Sequence, residues 1–149
     1  MKREIVDVAI ELCHPDAKMP EYARLGDSGM DISAIEDMKL LPGQTVIVKT
    51  GLKLAIPEGY EIQIRPRSGL SFKTPLRIPN SPGTIDSGYR DELGIIMQNN
   101  SANERYLIRK GERIAQMVLQ RVPAIQWRQV ASVSDIGEDR GGGFGSSGV

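Results

Sequence analysis

Cysteine and histidine are nearly absent from this 149-residue chain, which has one of each, Cys13 and His14. A lone cysteine excludes a disulfide framework within the chain and suits a reducing, cytoplasmic setting. One Cys with one His also excludes the usual zinc donor set. Their adjacency is no sign of a nucleophile and its base, because folding rather than sequence adjacency brings such pairs together; Cys13 reads as a small, part-buried filler. Charge of one sign is lacking too: nineteen basic and nineteen acidic residues cancel. Without a basic excess the chain is not expected to bind nucleic acid or membrane surfaces, though a local basic pocket for one small anion stays open. No apolar run approaches the ~20 residues of a membrane helix. The start, MKREIVDVAIELCHPD, carries charges where an export signal needs an apolar core, so none is expected.

What is present is the pattern of strands. REIVDVAIEL, QTVIVKTGLKLAI, GYEIQIRP, RYLIRKG, RIAQMVLQRV and AIQWRQVASV are short stretches rich in Val, Ile and Tyr. Several alternate apolar with polar residues, as Tyr60, Ile62 and Ile64 do against Glu61, Gln63 and Arg65. Turn signals such as LPGQ, IPEGY, PNSPGT and RKGER separate them. Together they predict an all-β sandwich or barrel in one domain, of a size that buries roughly 70% of its unfolded surface. The one helix expected is short, SGLSFK, with Ser68 as its N-cap. We place the β domain at residues 1–135 and a Gly-rich C-terminal arm at 136–149. Composition alone leans towards reading that arm as a flexible tail; Gly, Ser and Arg together also suit a lid wrapping polyphosphate.

Four internal segments offer chemistry. IRPRSGLS puts Arg67 before Ser68 and Gly69 at a helix start, an arrangement that suits phosphate but is also an ordinary capped turn. SGMDISA offers Asp31, a surface charge or a carboxylate for hydrated Mg2+. GERIAQMVLQ carries Gln116, the one amide among Ile114, Ala115, Met117 and Val118, where alternation allows it to face solvent. PGTIDSGYRDEL places Asp86 at the end of a short extended segment with Tyr89 and Arg90 close behind. Asp86 there can deprotonate a water and Tyr89 can wall a sugar or base. Equally, the stretch reads as a β-turn with Tyr89 packed on a neighbour and Arg90 paired to Asp91 or Glu92.

Taken in order, DSGMDISA, RPRSGLS, NSPGTIDSGYRDELGIIMQN, GERIAQMV and RGGGFGSSG resemble the five motifs of the homotrimeric dUTPases, over residues 27–148. The resemblance implies a distorted jelly-roll all-β fold with one short helix after the second motif. It also implies Mg2+-dependent hydrolysis of dUTP to dUMP and pyrophosphate, in a homotrimer whose sites are shared and whose arm crosses to a neighbour. By the same resemblance Asp86 is the base and Tyr89 excludes a 2′-hydroxyl. Asn80 and the backbone of Gly83, Thr84 and Ile85 pair with uracil. Arg67, Ser68, Gly69 and Gln116 bind phosphates, and Asp31 holds Mg2+ through water. Phe144 closes over uracil with Gly145 beside it, while Arg140, Ser146 and Ser147 reach the γ-phosphate. Arg140 precedes Phe144 by four positions where the family usually has five, which implies an altered path for Arg140. Ser147 stands where the family often has Thr and keeps the hydroxyl.

Two other activities are weighed. The related dCTP deaminases use a glutamate in the strand before the third motif's closing Asn; here that position is Ile96, so deamination is not expected. A non-catalytic nucleotide sensor on the same fold would be favoured by loss of Asp86 or of the arm, and both are present. Trp127 lies outside all five motifs and reads as core or subunit contact.

Overall fold

The structure, a computed structural model, describes residues 2–145 and 147–148. Those residues form, in chain order, β1 (Ala9–Leu12), β2 (Met30–Ser33), β3 (Met38–Leu40), β4 (Thr45–Lys49), β5 (Leu52–Ala55), β6 (Tyr60–Arg65), α1 (Ser68–Lys73), β7 (Leu76–Arg77), β8 (Gly83–Ile85), β9 (Gly94–Asn99), β10 (Tyr106–Ile108) and β11 (Arg113–Arg121). The expected all-β class with one short helix is what forms. Alternation drives it: along β9, Ile95, Met97 and Asn99 point inward while Gly94, Ile96 and Gln98 are half-covered. All strand pairs are antiparallel, in the orders β1-β5, β10-β3, β2-β11-β6-β8 and β4-β9-β7. β11, nine residues long, pairs on one side with β2 and on the other with β6, and so forms the spine of the largest sheet.

One buried cluster joins the sheets, with Ile32, Leu40, Val48, Leu52, Ile95 and Ile108 each at most 2% exposed. A glycine is required where the chain turns into β5. Gly51 has φ +70°, and a Cβ there would stand 2.7 Å from the Ala17 Cβ. The polar exception in the core is instructive. Asn99 is fully buried, and its Nδ2 donates to the carbonyls of Leu40 (3.2 Å) and Glu104 (2.8 Å) while Oδ1 accepts from the Ser101 N–H (3.0 Å). It ties β3, β9 and the following turn together. Asn99→Ala strands those three backbone groups and is expected to cost about 3 kcal/mol in stability. An unchanged urea midpoint would show that the groups find other partners.

Several expectations are corrected. Ser68 is not the N-cap: Arg67 holds that place with φ −90° and ψ 135°, and no side chain caps the helix. Arg67 is the last extended residue, so helical geometry begins at Ser68, one residue earlier than an N-cap at Ser68 would give. Cys13 is exposed, its thiol 3.8 Å from Glu92 Oε1, and is no part-buried filler. REIVDVAIEL forms a strand only from Ala9 onward. AIQWRQVASV forms none: after Val122, whose N–H donates to the Gly59 carbonyl (2.8 Å), no described residue joins a sheet. All described residues from 122 onward are exposed except Val130, which is half-buried. The alternation is real, but a strand needs a neighbour for its N–H and C=O groups, and among the described residues the segment has none. Trp127, at 85% exposure, is therefore not part of the chain's core.

The place where β11 gives way to this segment is braced by the N-terminus. Glu4 accepts hydrogen bonds from Arg121 and from the Tyr60 hydroxyl, which hold its carboxyl below the ordinary glutamate range. No helix of the described residues is long and apolar enough to cross a membrane.

Candidate active site

Cross-strand neighbours share a face, and one row across the largest sheet is polar. Asp31 on β2 stands opposite Gln116 on β11, which stands opposite Arg65 on β6. β6 then leads through Pro66 to Arg67, whose Nε donates to Asp31 Oδ1 at 3.0 Å. Arg113 Nη1 approaches Asp31 Oδ2 at 3.4 Å, and Arg67 Nη1 also donates to the Arg113 carbonyl at 3.1 Å. One half-buried carboxylate thus gathers two guanidiniums.

Gln116 does not simply face solvent. Its Nε2 donates to the Pro66 carbonyl (2.9 Å), and its Oε1 lies so near Gly29 that a Cβ there would run into it. The glycine ahead of Asp31 is thus a matter of space. Beside the row opens a cavity of ≈ 280 Å³ lined by Glu21, Asp27, Gly29, Asp31 and Gln116 among others. Ser68 and Gly69 are exposed in the first turn of α1, where backbone N–H groups have no partner within the helix. The arrangement offers an anion two guanidiniums, an amide and the N–H groups of a helix start.

The second group of predicted residues sits on β8, the next strand of the same sheet, and on the turn after it. β8 pairs with β6, Gly83 opposite Ile64, Thr84 opposite Gln63 and Ile85 opposite Ile62. Asn80 lies before it, with its Nδ2 3.3 Å from where a Gly83 Cβ would stand. Asp86 is exposed just past the strand end, and its carbonyl accepts the Tyr89 N–H (3.1 Å) to close the turn. The Tyr89 hydroxyl donates to the Glu92 carbonyl (2.9 Å), which holds the ring at the turn with 40% of the residue still open. Arg90 pairs with neither Asp91 nor Glu92: its Nη1 donates to the carbonyls of Ser87 (2.6 Å) and Tyr89 (3.1 Å). It is a backbone brace for the turn that presents Asp86 and Tyr89.

The two groups share one sheet through the pairing of β6 with β8. Among the described residues no side-chain hydrogen bond or ion pair links the Asp31 group to the Asn80–Tyr89 turn. Nor do Arg140, Phe144, Gly145 and Ser147 bond to either; Phe144 stands fully exposed in the arm. Ser146 lies outside the described residues. Reasoning from sequence overlooked Arg113, because regular alternation puts it on the face opposite Gln116.

A family model for dUTPase matches residues 15–148. The chain belongs to the dUTPase family. A deoxyuridine 5'-triphosphate nucleotidohydrolase of Solibacter usitatus is 47% identical over 146 residues, covering 96% of this chain and 97% of the relative. One from a Picosynechococcus is 47% identical over 136 residues, with 91% and 94% covered. Among solved structures, the dUTPase of Staphylococcus bacteriophage 80alpha with dUPNHPP superposes with a TM-score of 0.87 at 34% identity, over 96% of this chain and 99% of that one. A variant dUTPase from phage phi11 of S. aureus, described for coordination of a structural Mg(II) ion, gives 0.80 at 30% identity, over 85% and 98%. The fold is therefore the jelly-roll-like all-β fold of this family. The relatives are nucleotidohydrolases over nearly their whole length, and nothing in them favours a deaminase. Ile96, where a deaminase would carry its glutamate, faces Ile47 across β4 and β9.

Proposed function

We propose that the chain hydrolyses dUTP to dUMP and pyrophosphate by attack of water on the α-phosphorus, in a homotrimer with shared sites. The observation that carries this reading is the Asp31 group, an anion site on the sheet of a dUTPase-family chain. Arg67, Gln116 and the N–H groups of Ser68 and Gly69 hold the phosphates. Asn80 and the backbone of Gly83, Thr84 and Ile85 read the uracil edge, and Tyr89 lies under the deoxyribose. The Asp86 carboxylate takes a proton from water as its oxygen bonds to the α-phosphorus. The bond from that phosphorus to the α,β-bridging oxygen breaks, and its electron pair leaves on pyrophosphate. Most of the rate comes from positioning and charge neutralisation, so rigid donors matter more than covalent chemistry.

Magnesium suits this donor set. Among the described residues no group of three His, Cys, Asp or Glu side chains could cage a metal ion. Mg2+ commonly uses one or two carboxylates and completes its shell with phosphate oxygens and waters. Asp31 is the carboxylate that would hold it, through water, with Asp27 and Glu21 on the same cavity wall. When bound, the ion neutralises phosphate charge and fixes the shape of the triphosphate. An arm whose Phe144 stands fully exposed supports sites shared between copies. The arm, with Arg140, Ser146 and Ser147 towards the γ-phosphate and Gly145 beside Phe144, then closes over a neighbour's substrate. A cytoplasmic setting suits the exposed Cys13 thiol.

Pyrophosphate release measured with Mg2+ from dUTP and from UTP tests the reading. The wild-type chain is expected to turn over dUTP and reject UTP, whereas Tyr89→Ala admits UTP. Nucleotide binding without release would establish a sensor instead. A Tyr89→Ala enzyme that still excluded UTP would move the sugar gate elsewhere.

A further inference from the structure

Besides Asn99, the core holds one more fully buried polar side chain among the described residues, Thr50. It stands where β4 gives way to β5, just ahead of Gly51. Its hydroxyl donates to the Leu93 carbonyl at 2.6 Å and accepts the Leu52 N–H at 3.2 Å. A hydroxyl has one proton to give, and here it is committed to Leu93. The Leu93 N–H donates in turn to the Leu52 carbonyl at 2.7 Å. Both backbone groups of Leu93 are thus tied to one short stretch of the core.

Leu93 closes the segment that carries Asp86 and Tyr89. That segment leaves β8 in the largest sheet and ends where β9 begins, at Gly94, in another sheet. Its entry is held by the pairing of β8 with β6. Its exit lacks such a ladder, because the pairing of β9 with β4 starts only at Gly94. Thr50 and Leu52 take the place of that ladder. The Glu92 carbonyl and the Leu93 N–H belong to one planar peptide unit, so fixing one aims the other. That carbonyl is the acceptor of the Tyr89 hydroxyl, at 2.9 Å. A continuous chain of bonds therefore runs from a core hydroxyl, through the Leu93 backbone, to the ring of Tyr89. Packing alone asks only for the volume of a valine at position 50; the hydroxyl serves the exit of the turn.

We propose that Thr50 is a positioning residue for sugar selection, setting through the Glu92–Leu93 peptide where the Tyr89 ring stands. It touches no substrate, and its effect is carried by Tyr89. The proposal rests on the functional reading above, in which Tyr89 lies under the deoxyribose. The test measures kcat/KM for dUTP and for UTP, with Mg2+, in Thr50→Val, Thr50→Ser, Tyr89→Phe and the Thr50→Val/Tyr89→Phe double variant. Thr50→Val should lower the preference for dUTP about fivefold or more, the worth of one hydrogen bond. Thr50→Ser keeps the hydroxyl and should hold the wild-type preference. Tyr89→Phe should lose preference as Thr50→Val does. The double variant should lose no more than Tyr89→Phe alone, since both changes cut one chain of bonds. Lower stability reduces the amount of folded enzyme and moves both substrates together, so the ratio separates positioning from support. Thr50→Ala reads the same ratio should Thr50→Val not fold. A wild-type preference without the hydroxyl overturns the proposal, and so does a double variant whose losses add. A wild-type enzyme that leaves dUTP intact, or takes UTP equally well, would instead be a failure of the functional reading.

Discussion

Asp86→Asn is expected to leave the triphosphate bound and to cut turnover by roughly 10²–10⁴, the range for loss of a general base. The turn supports so clean a separation. It is closed by the Asp86 carbonyl and the Tyr89 N–H, and by Arg90 on the carbonyls of Ser87 and Tyr89. None of those bonds uses the Asp86 carboxylate, which is exposed past the end of β8. Asparagine has the same shape and keeps the backbone, so the segment from Asn80 to Ile85 and Tyr89 stay in place. What disappears is an acceptor able to take a proton from water. Binding of α,β-imido-dUTP measured beside pyrophosphate release distinguishes the two effects. An Asp86→Asn enzyme with wild-type kcat would remove Asp86 from the chemistry altogether.

Deleting residues 140–149 is expected to reduce kcat/KM about 100-fold or more while leaving the melting temperature nearly unchanged. The first half follows from the loss of Arg140 and the hydroxyls of Ser146 and Ser147. Two charge-assisted hydrogen bonds at about 1.5–3 kcal/mol each exceed the 2.7 kcal/mol that corresponds to roughly 100-fold. The second half follows from burial. The last strand ends at Arg121, and every described residue from 131 to the end is exposed, so the deletion removes no core contact. Full activity in the truncated enzyme would return the arm to the status of a tail. Loss of thermal stability would instead assign it a structural place in the folded protein.

Much of the fold is legible in the order of residues along the chain. Alternation at Tyr60–Arg65 becomes β6, SGLSFK becomes α1 residue for residue, and GTI ahead of Asp86 becomes β8. These are local signals: a pleat repeats every two residues and a glycine-bracketed turn carries its own geometry. Five short segments in fixed order are enough to point to the family, and the family model and the 47% identical relatives agree.

Other features depend on what lies alongside. AIQWRQVASV has the period of a strand but no ladder partner among the described residues, so period alone misleads, and Trp127 stands exposed instead of in the core. Arg90, with two acidic neighbours in sequence, turns to backbone carbonyls, because the turn carries them closer than either carboxylate. Asp31 is a lone carboxylate in sequence and becomes the hub of two arginines 36 and 82 positions away. Strand period, turn chemistry, the family and the residue types of the site are written along the chain, since they are properties of neighbours in sequence. Only the tertiary structure decided which face Arg113 points to, because one inserted residue opposite β2 reverses the alternation. Such a bulge is a relation between two strands and is written in neither of them alone.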